Sequence, residues 1–499
     1  MKRQITDTKA YERIVGTFKK HQSGITLADV AAGTGLGLNQ VKTLVPLAAD
    51  EYSARLEVTQ SGEILYSFPR GFSSRYRGVG PALRRGFSLA ARFAASAGKL
   101  LFKAWIMVML FGYFLLFILI ALAALALSIA ASRNNSRGSS AGGLNASMGI
   151  FNLVIRLWFY SELFNAGRRS ASWQGNARDN RRGGAPGEKR RPLHKAIFSF
   201  VFGDEDPNRE HPTREKKEFV AYVRKRRGVV SLPELMILTG QNPQQAEGSI
   251  AGLCAEFGGS PEVTEEGTIV YRFDEILLSG EKNRQEGGGA IATLYKKLRA
   301  FSANPRKMNT GFSVINGVNL LFGGYFLYSS VAIGRILSEE ALQGAGIYGM
   351  VYYFLTMAAI NPLPVIQIGL GLVPLLFSAF FWLIPALRWR LLKKENDAIR
   401  MGNFRGLFFG RIWASPQGFK PTGVDPKEDE CRPRNLNAAR DAALKEMGTY
   451  AFPQVSIDEK QGELFDFDEL RREKDALEKY RRAESGKSVT VGETVFDSA

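Results

Sequence analysis

The chain alternates between amphipathic stretches and long uncharged blocks. In residues 9–21, Ile14, Val15 and Phe18 recur at helical spacing and predict a first helix. Thr26 is placed to cap a second helix, with Asp29 at its third position in the manner of a capping box. Gly33, Gly35 and Gly37 break the chain, and residues 38–49 predict a third helix with Pro46 as an irregularity inside it. Two alternating runs, Arg55–Thr59 and Glu63–Phe68, flank Gln60-Ser61-Gly62 and read as a β-hairpin. The pattern returns 205 residues later without a gap, matching Leu27 to Leu232, Thr34-Gly35 to Thr239-Gly240, Gly62 to Gly267, Tyr66 to Tyr271 and Phe68 to Phe273. Glu215–Arg227 supplies the first helix of this second copy, with Phe219, Val220 and Val223 inward.

The uncharged blocks predict membrane spans. Ala104–Ala131 runs 28 residues without a charge, more than enough at ~1.5 Å per residue to cross ~30 Å of hydrocarbon. Met148–Phe164 is apolar apart from Arg156 and Glu162 and is expected to return, forming a membrane hairpin. The cost of a central arginine, ~2.5–3.5 kcal/mol on insertion scales, argues instead for a helix lying in the interface. Phe312–Ile333 is the next span, with Gly317, Gly323 and Gly324 permitting close helix contact. Ile347–Ile360 is short, Asn361-Pro362-Leu363-Pro364 interrupts it, and Val365–Leu387 resumes. This reads as a broken unit crossing once in net terms, giving four spans; two ordinary helices joined by a proline turn would give five. Basic residues flank the outer ends of the blocks, which places both termini on the cytoplasmic side of a multi-pass protein, in an inner or cytoplasmic membrane.

Three helices and a hairpin, occurring twice, resemble the winged helix-turn-helix fold. The expected class is therefore mainly α with small β-hairpins: integral membrane helices plus two soluble winged-helix (α+β) domains. The layout is 1–70 first winged-helix domain, 71–103 basic juxtamembrane linker, 104–164 membrane hairpin and 165–212 basic linker with an acidic turn. It continues with 213–278 second winged-helix domain, 279–310 linker and amphipathic segment, 311–388 membrane block and 389–499 cytoplasmic tail. The stretch Arg191–Asn208 and the two copies are also similar to uncharacterised membrane proteins of bacteria and plastids, a likeness that assigns no chemistry.

The resemblance implies DNA binding through a third helix in the major groove, which needs cations for phosphates and base edges. That helix offers only Lys42 in the first copy and no Lys or Arg in the second, where Glu247 and Glu256 stand instead. The hairpins carry Glu57, Glu63, Glu262, Glu265 and Glu266, which repel phosphate. Nucleic acid is disfavoured. A protein partner or self-association is expected, with Lys42 and these five glutamates as contact candidates.

Composition sharpens this only slightly. The formal net charge is +18, with basic residues crowded beside the apolar blocks, pointing to anionic lipid headgroups. Residues 72–99, 291–307 and 400–413 are basic stretches suited to the membrane interface. Two cysteines, Cys254 and Cys431, are too few for a disulfide framework and fit a reducing compartment. The first fifteen residues lack the apolar core of a cleavable leader. In the tail, Val455–Phe467 echoes the hairpins without a clear three-helix lead, Phe467–Arg482 predicts a charged helix, and the residues beyond are expected to lack order.

Catalytic chemistry is missing from the pattern. Gly33–Gly37 resembles a dinucleotide loop, but it follows a helix and lacks the full spacing. The three histidines, His21, His194 and His211, are scattered. Asp204, Glu205 and Asp206 read as a solvated turn rather than a metal site. No catalytic residue, cofactor or metal is expected. The candidate intramembrane polar residues are Arg156, Asn361 and Gln367. The sequence thus predicts a membrane-anchored scaffold. A membrane-tethered DNA-binding regulator, or a transporter component built on the proline-broken segment, stands as the alternative.

Overall fold

The computed structural model describes residues 8–21, 24–68, 79–134, 192–278, 291–333, 346–458, 462–484 and 494–498. Met148–Phe164, with Arg156, lies outside them. In chain order, α1 (Thr8–Lys20), α2 (Leu27–Thr34) and α3 (Leu38–Glu51) precede the hairpin of β1 (Arg55–Thr59) and β2 (Ile64–Ser67). Then come α4 (Val79–Asn134) and α5 (Leu193–Phe202). A second set follows: α6 (His211–Lys225), β3 (Val229–Val230), α7 (Leu232–Thr239), α8 (Pro243–Phe257), β4 (Ser260–Val263) and β5 (Ile269–Arg272). Helices α9 (Arg306–Ala332), α10 (Gly346–Met357) and α11 (Val373–Ala414) come next. The chain continues as α12 (Leu436–Tyr450), β6 (Gln454–Asp458), β7 (Gly462–Asp466), α13 (Asp468–Glu484) and β8 (Thr494–Asp497). The protein is mainly helical with small antiparallel sheets.

Two compact units divide these elements. The first comprises Met1–Phe87, Glu205–Arg299 and Leu392–Ala499. Its local structure follows from caps. Thr26 and Asp29 exchange side-chain and backbone bonds at the start of α2; at α7 the Glu234 carboxylate accepts from the Ser231 amide. Gly35 and Gly240 end those helices at φ of 69° and 68°, which a side chain resists. At Gly240 space is also closed, since an added Cβ would collide with the carbonyl of Gly402. Ile25 bridges Tyr66 and Val230 pairs with Tyr271, each closing a hairpin onto the chain ahead of its second helix.

A third set of elements takes the same order; the sequence showed its hairpin as the echo at Val455–Phe467 but not its lead. Its lead is the end of α11, from Leu392; Phe419 bridges Phe465, the single turns Pro421–Gly423 and Asp429–Cys431 stand where a second helix would be, and α12 leads into β6–β7. Residues 400–413 are therefore not an interface segment. Phe404, Phe408, Phe409 and Ile412 are fully buried, in one core that runs through all three sets and includes Phe18, Phe257 and Phe467. Fully burying side chains of this size contributes ~1.5–3 kcal/mol each. Residues 291–300 form neither helix nor strand. Three asparagines hold this strap by paired amide bonds: Asn403 with Lys296, Asn208 with Lys297, and Asn396 with Arg299.

The second unit, Ser88–Asp204 and Ala300–Leu391, holds the apolar helices. Among the described residues, three helical runs are long and apolar enough to cross a membrane: Leu101–Ile129, Arg306–Ala332 and Pro362–Ala414. Helix α10, 12 residues or ~18 Å long, is too short to do so alone. Ala359 ends the turn after it at φ 58°, Asn361 caps Pro362–Pro364, and a π-helix (Val365–Leu372) runs into α11. Gly323 and Gly371 let α9 approach that π-helix: a Cβ on Gly371 would stand 3.0 Å from the Leu327 backbone.

Candidate functional site

The six contact candidates are engaged within the chain. Glu57 lies on β1 between Leu65 of β2 and Asp497 of β8, because β8 adds a third strand to the first hairpin. Arg55 forks onto Asp497 and fixes that strand. Lys42 donates to Glu275 at 2.8 Å. Burial pushes the Glu63 carboxyl upward, against the pull of Lys42.

At the second hairpin the partner is α13. The Tyr480 hydroxyl donates to Glu262, and Lys479 Nζ lies 3.3 Å from Glu265 and 2.6 Å from Glu266. The bond from Lys479 holds the Glu266 carboxyl below the ordinary range. These contacts are exposed and weak individually. Beneath them, Arg481 forks onto Glu234 at 2.5 and 2.9 Å and donates to the Val229 carbonyl at 2.7 Å. Glu234 is only 2% exposed and also accepts from Tyr222 and from the Ser231 amide. One glutamate thus caps α7, orients Tyr222 and receives α13. Leu477 packs under the same helix against Val229 and Val270.

A cavity of about 190 Å³ sits at the foot of α13, lined by Arg226, Glu234, Ile237, Trp413, Lys474 and Arg481 among others. It is smaller than the ~300–1,000 Å³ of ordinary ligand sites, and its lining cations are already bound: Lys474 to the Trp413 carbonyl, Arg481 to Glu234. Nearby, Glu473 accepts from the Tyr450 hydroxyl at 2.9 and 3.0 Å, and burial pushes its carboxyl up to about 7.

Within the apolar unit, Asn361 is exposed and spends its side chain capping Leu363, and Gln367 is half-buried on the π-helix. Neither joins a polar cluster. The buried polar residues are others. Asn319 of α9 donates to the Leu110 carbonyl of α4 at 2.9 Å, Asn316 donates to the Ser378 carbonyl of α11 at 3.0 Å, and Tyr113 donates to the Gly369 carbonyl at 2.9 Å. Two asparagines three apart inside an apolar span were the available signal. The acidic turn is consumed locally: Asp204 accepts from Ser199 and the Ala303 amide, while Asp206 accepts from the Asn208 amide. Among the described residues no cluster of three metal-ligating side chains occurs.

The chain is similar to an uncharacterised chloroplastic protein of Arabidopsis thaliana, at 25% identity over 445 residues, covering 84% of this chain and 73% of the plant protein. No protein-family profile matches the chain, and no solved structure does.

Proposed function

We propose that this chain is a multi-pass membrane scaffold whose extramembrane unit is built from winged-helix modules used for protein contacts. Both termini face the cytoplasmic side, or its equivalent in a plastid. The observation that carries this reading is the docking of α13, a charged helix, on the second module: on its acidic hairpin through Glu262, Glu265 and Glu266, and on α7 through Glu234. The module's wing is a receptor for a charged helix that presents Lys479, Tyr480 and Arg481 on one stretch. Against a DNA reader stands the packing of the third helices, α3 on α8 and α8 on α12, which occupies the elements a groove would need. Phe452, Val455 and Ile457, exposed by 78%, 58% and 81% around β6, add an apolar strip of the kind protein interfaces use.

The test uses the full chain in nanodiscs. A labelled peptide of residues 468–484 binds the Lys479→Ala/Arg481→Ala variant, whose own α13 is released, and fails to bind when Glu234, Glu262, Glu265 and Glu266 are also changed to Gln. Duplex DNA shows no salt-dependent binding between 50 and 200 mM salt, the range over which phosphate contacts are lost by orders of magnitude. Peptide binding that ignores the glutamates, or DNA binding with a steep salt slope, overturns the reading.

A further inference from the structure

The three hairpins share a register and differ at one edge. Leu56 lies opposite Tyr66, Pro261 opposite Tyr271 and Val455 opposite Phe465. Ile25, Val230 and Phe419 pair in turn with Tyr66, Tyr271 and Phe465, which closes the inner edge of each set. The outer edge belongs to β1, β4 and β6. On β1 it is filled: the Leu56 amide donates to Ser498 Oγ at 2.8 Å, its carbonyl accepts from the Ser498 amide at 3.0 Å, and Val58 lies opposite Phe496. On β4 the residue in the place of Leu56 is Pro261, which has no N–H to offer. On β6 that residue is Val455.

Among the described residues β6 ends its sheet. The strand carries no proline, lysine or arginine, the residues that commonly guard an open edge. Gln454, Val455, Ser456 and Ile457 are all exposed. Backbone groups alternate sides along a strand. By the register shared with β1, the N–H and C=O of Val455 and Ile457 point away from β7, as those of Leu56 point toward β8. Their two β-branched side chains lie on one face of the sheet.

The strand fits its own copy. In an antiparallel pair centred on Ser456, Val455 lies opposite Ile457 of the second copy, and Ile457 opposite Val455 of the second copy. Both are hydrogen-bonded pairs, so the outward groups make four backbone bonds and the β-branched side chains meet twice. The two serines face each other on the axis as a non-hydrogen-bonded pair. We propose that β6 is a self-association edge, through which two copies join their β6–β7 hairpins into one four-stranded antiparallel sheet. A second copy is thus one partner for the protein contacts proposed above; the pairing rests on that reading and uses none of the residues that hold α13. A five-residue edge buries less than the ~1,000 Å² of a stable interface, so it serves copies already concentrated in one membrane.

The experiment uses the full chain in proteoliposomes, labelled at the N-terminus with donor or acceptor dye. Energy transfer above the random-mixing level is expected, falling as added lipid dilutes the protein. Ile457→Pro deletes the outward N–H and spares the pairing with β7; at least ten-fold more protein per lipid is then needed for the same transfer. Ile457→Lys, which charges the edge, has the same effect. Under copper-phenanthroline oxidation Ser456→Cys gives a covalent dimer, because the two Cα atoms lie ~4.5 Å apart. Gln454→Cys, whose two copies stand ~13 Å apart at ~3.3 Å per residue, gives none, and neither does the parent chain with its native cysteines. Transfer at the random level, transfer untouched by Ile457→Pro, or cross-linking as strong at 454 as at 456 overturns the proposal. Quenching of Phe452→Trp by brominated lipid, without energy transfer, also overturns it and puts the apolar strip against the bilayer. All of these outcomes leave the docking of α13 untouched, so the two readings fail separately.

Discussion

Replacing Arg481 with Ala isolates the strongest tie between α13 and the rest of its unit. The guanidinium makes two bonds to Glu234 and two to the Val229 carbonyl. Removing it strands a carboxylate that is 2% exposed. Breaking a buried pair from one side costs about 3–5 kcal/mol. Glu234 keeps its bonds from Tyr222 and the Ser231 amide, so the lower end, about 3 kcal/mol, is expected. That lowers the population of docked α13 by about 150-fold relative to undocked. The assay is hydrogen exchange of amides 470–484 in the full chain, where protection should fall by that factor while amides of α8 keep theirs. The double variant Glu234→Gln/Arg481→Met removes both charges and should recover much of the loss. An Arg481→Ala effect below about 1 kcal/mol, or a double variant no better than the single, would refute the claim that a buried ion pair fastens α13.

Glu473 makes the same helix sensitive to pH. Its carboxyl is raised by burial to about 7, so the folded state binds the proton more tightly than the unfolded one. Stability is then fully present below the ordinary carboxylate value and declines as pH rises through about 7. The loss should approach about 2 kcal/mol for this partly solvated side chain, read as exchange of amides 470–484 between pH 5 and 8, and Glu473→Gln should flatten it. Asn403→Leu deletes the three bonds that its side chain makes to the Lys296 amide and carbonyl and to the Glu430 carbonyl. Buried partners left unpaired cost ~1–3 kcal/mol each, so proteolysis within 291–300 should become rapid while the hairpins survive; unchanged proteolysis would count against the strap being held by its asparagines.

The parts legible in the sequence were those governed by neighbours along the chain. Ile14, Val15 and Phe18 mark α1 by spacing, and Thr26 with Asp29 marks the start of α2, because periodicity and capping are local. The long apolar runs declare themselves by composition alone. What escaped depends on distant pairings. The lead of the third set is hidden because it is fused into α11, so no cap or break announces it. The aromatics of 400–413 look like headgroup anchors until Met447 and Phe467 cover them. Lys479 and Arg481 read as a solvated charged helix, although Glu262 to Glu266 wait some 215 residues upstream. Asn316 and Asn319 were masked by the hydropathy of their neighbours, which averages away isolated polar side chains.

The strand β8 places a clock on assembly. β1 is made early, yet the strand that covers its outer edge lies more than four hundred residues further along, at Thr494–Asp497. At about 5–20 residues per second, synthesis leaves that edge open for roughly 20–90 s. An uncovered edge is a template for pairing with any passing strand. Arg55 and Glu57 on β1 put charge on the edge during that interval, so the side chains that later help anchor β8 first serve to keep nascent chains apart.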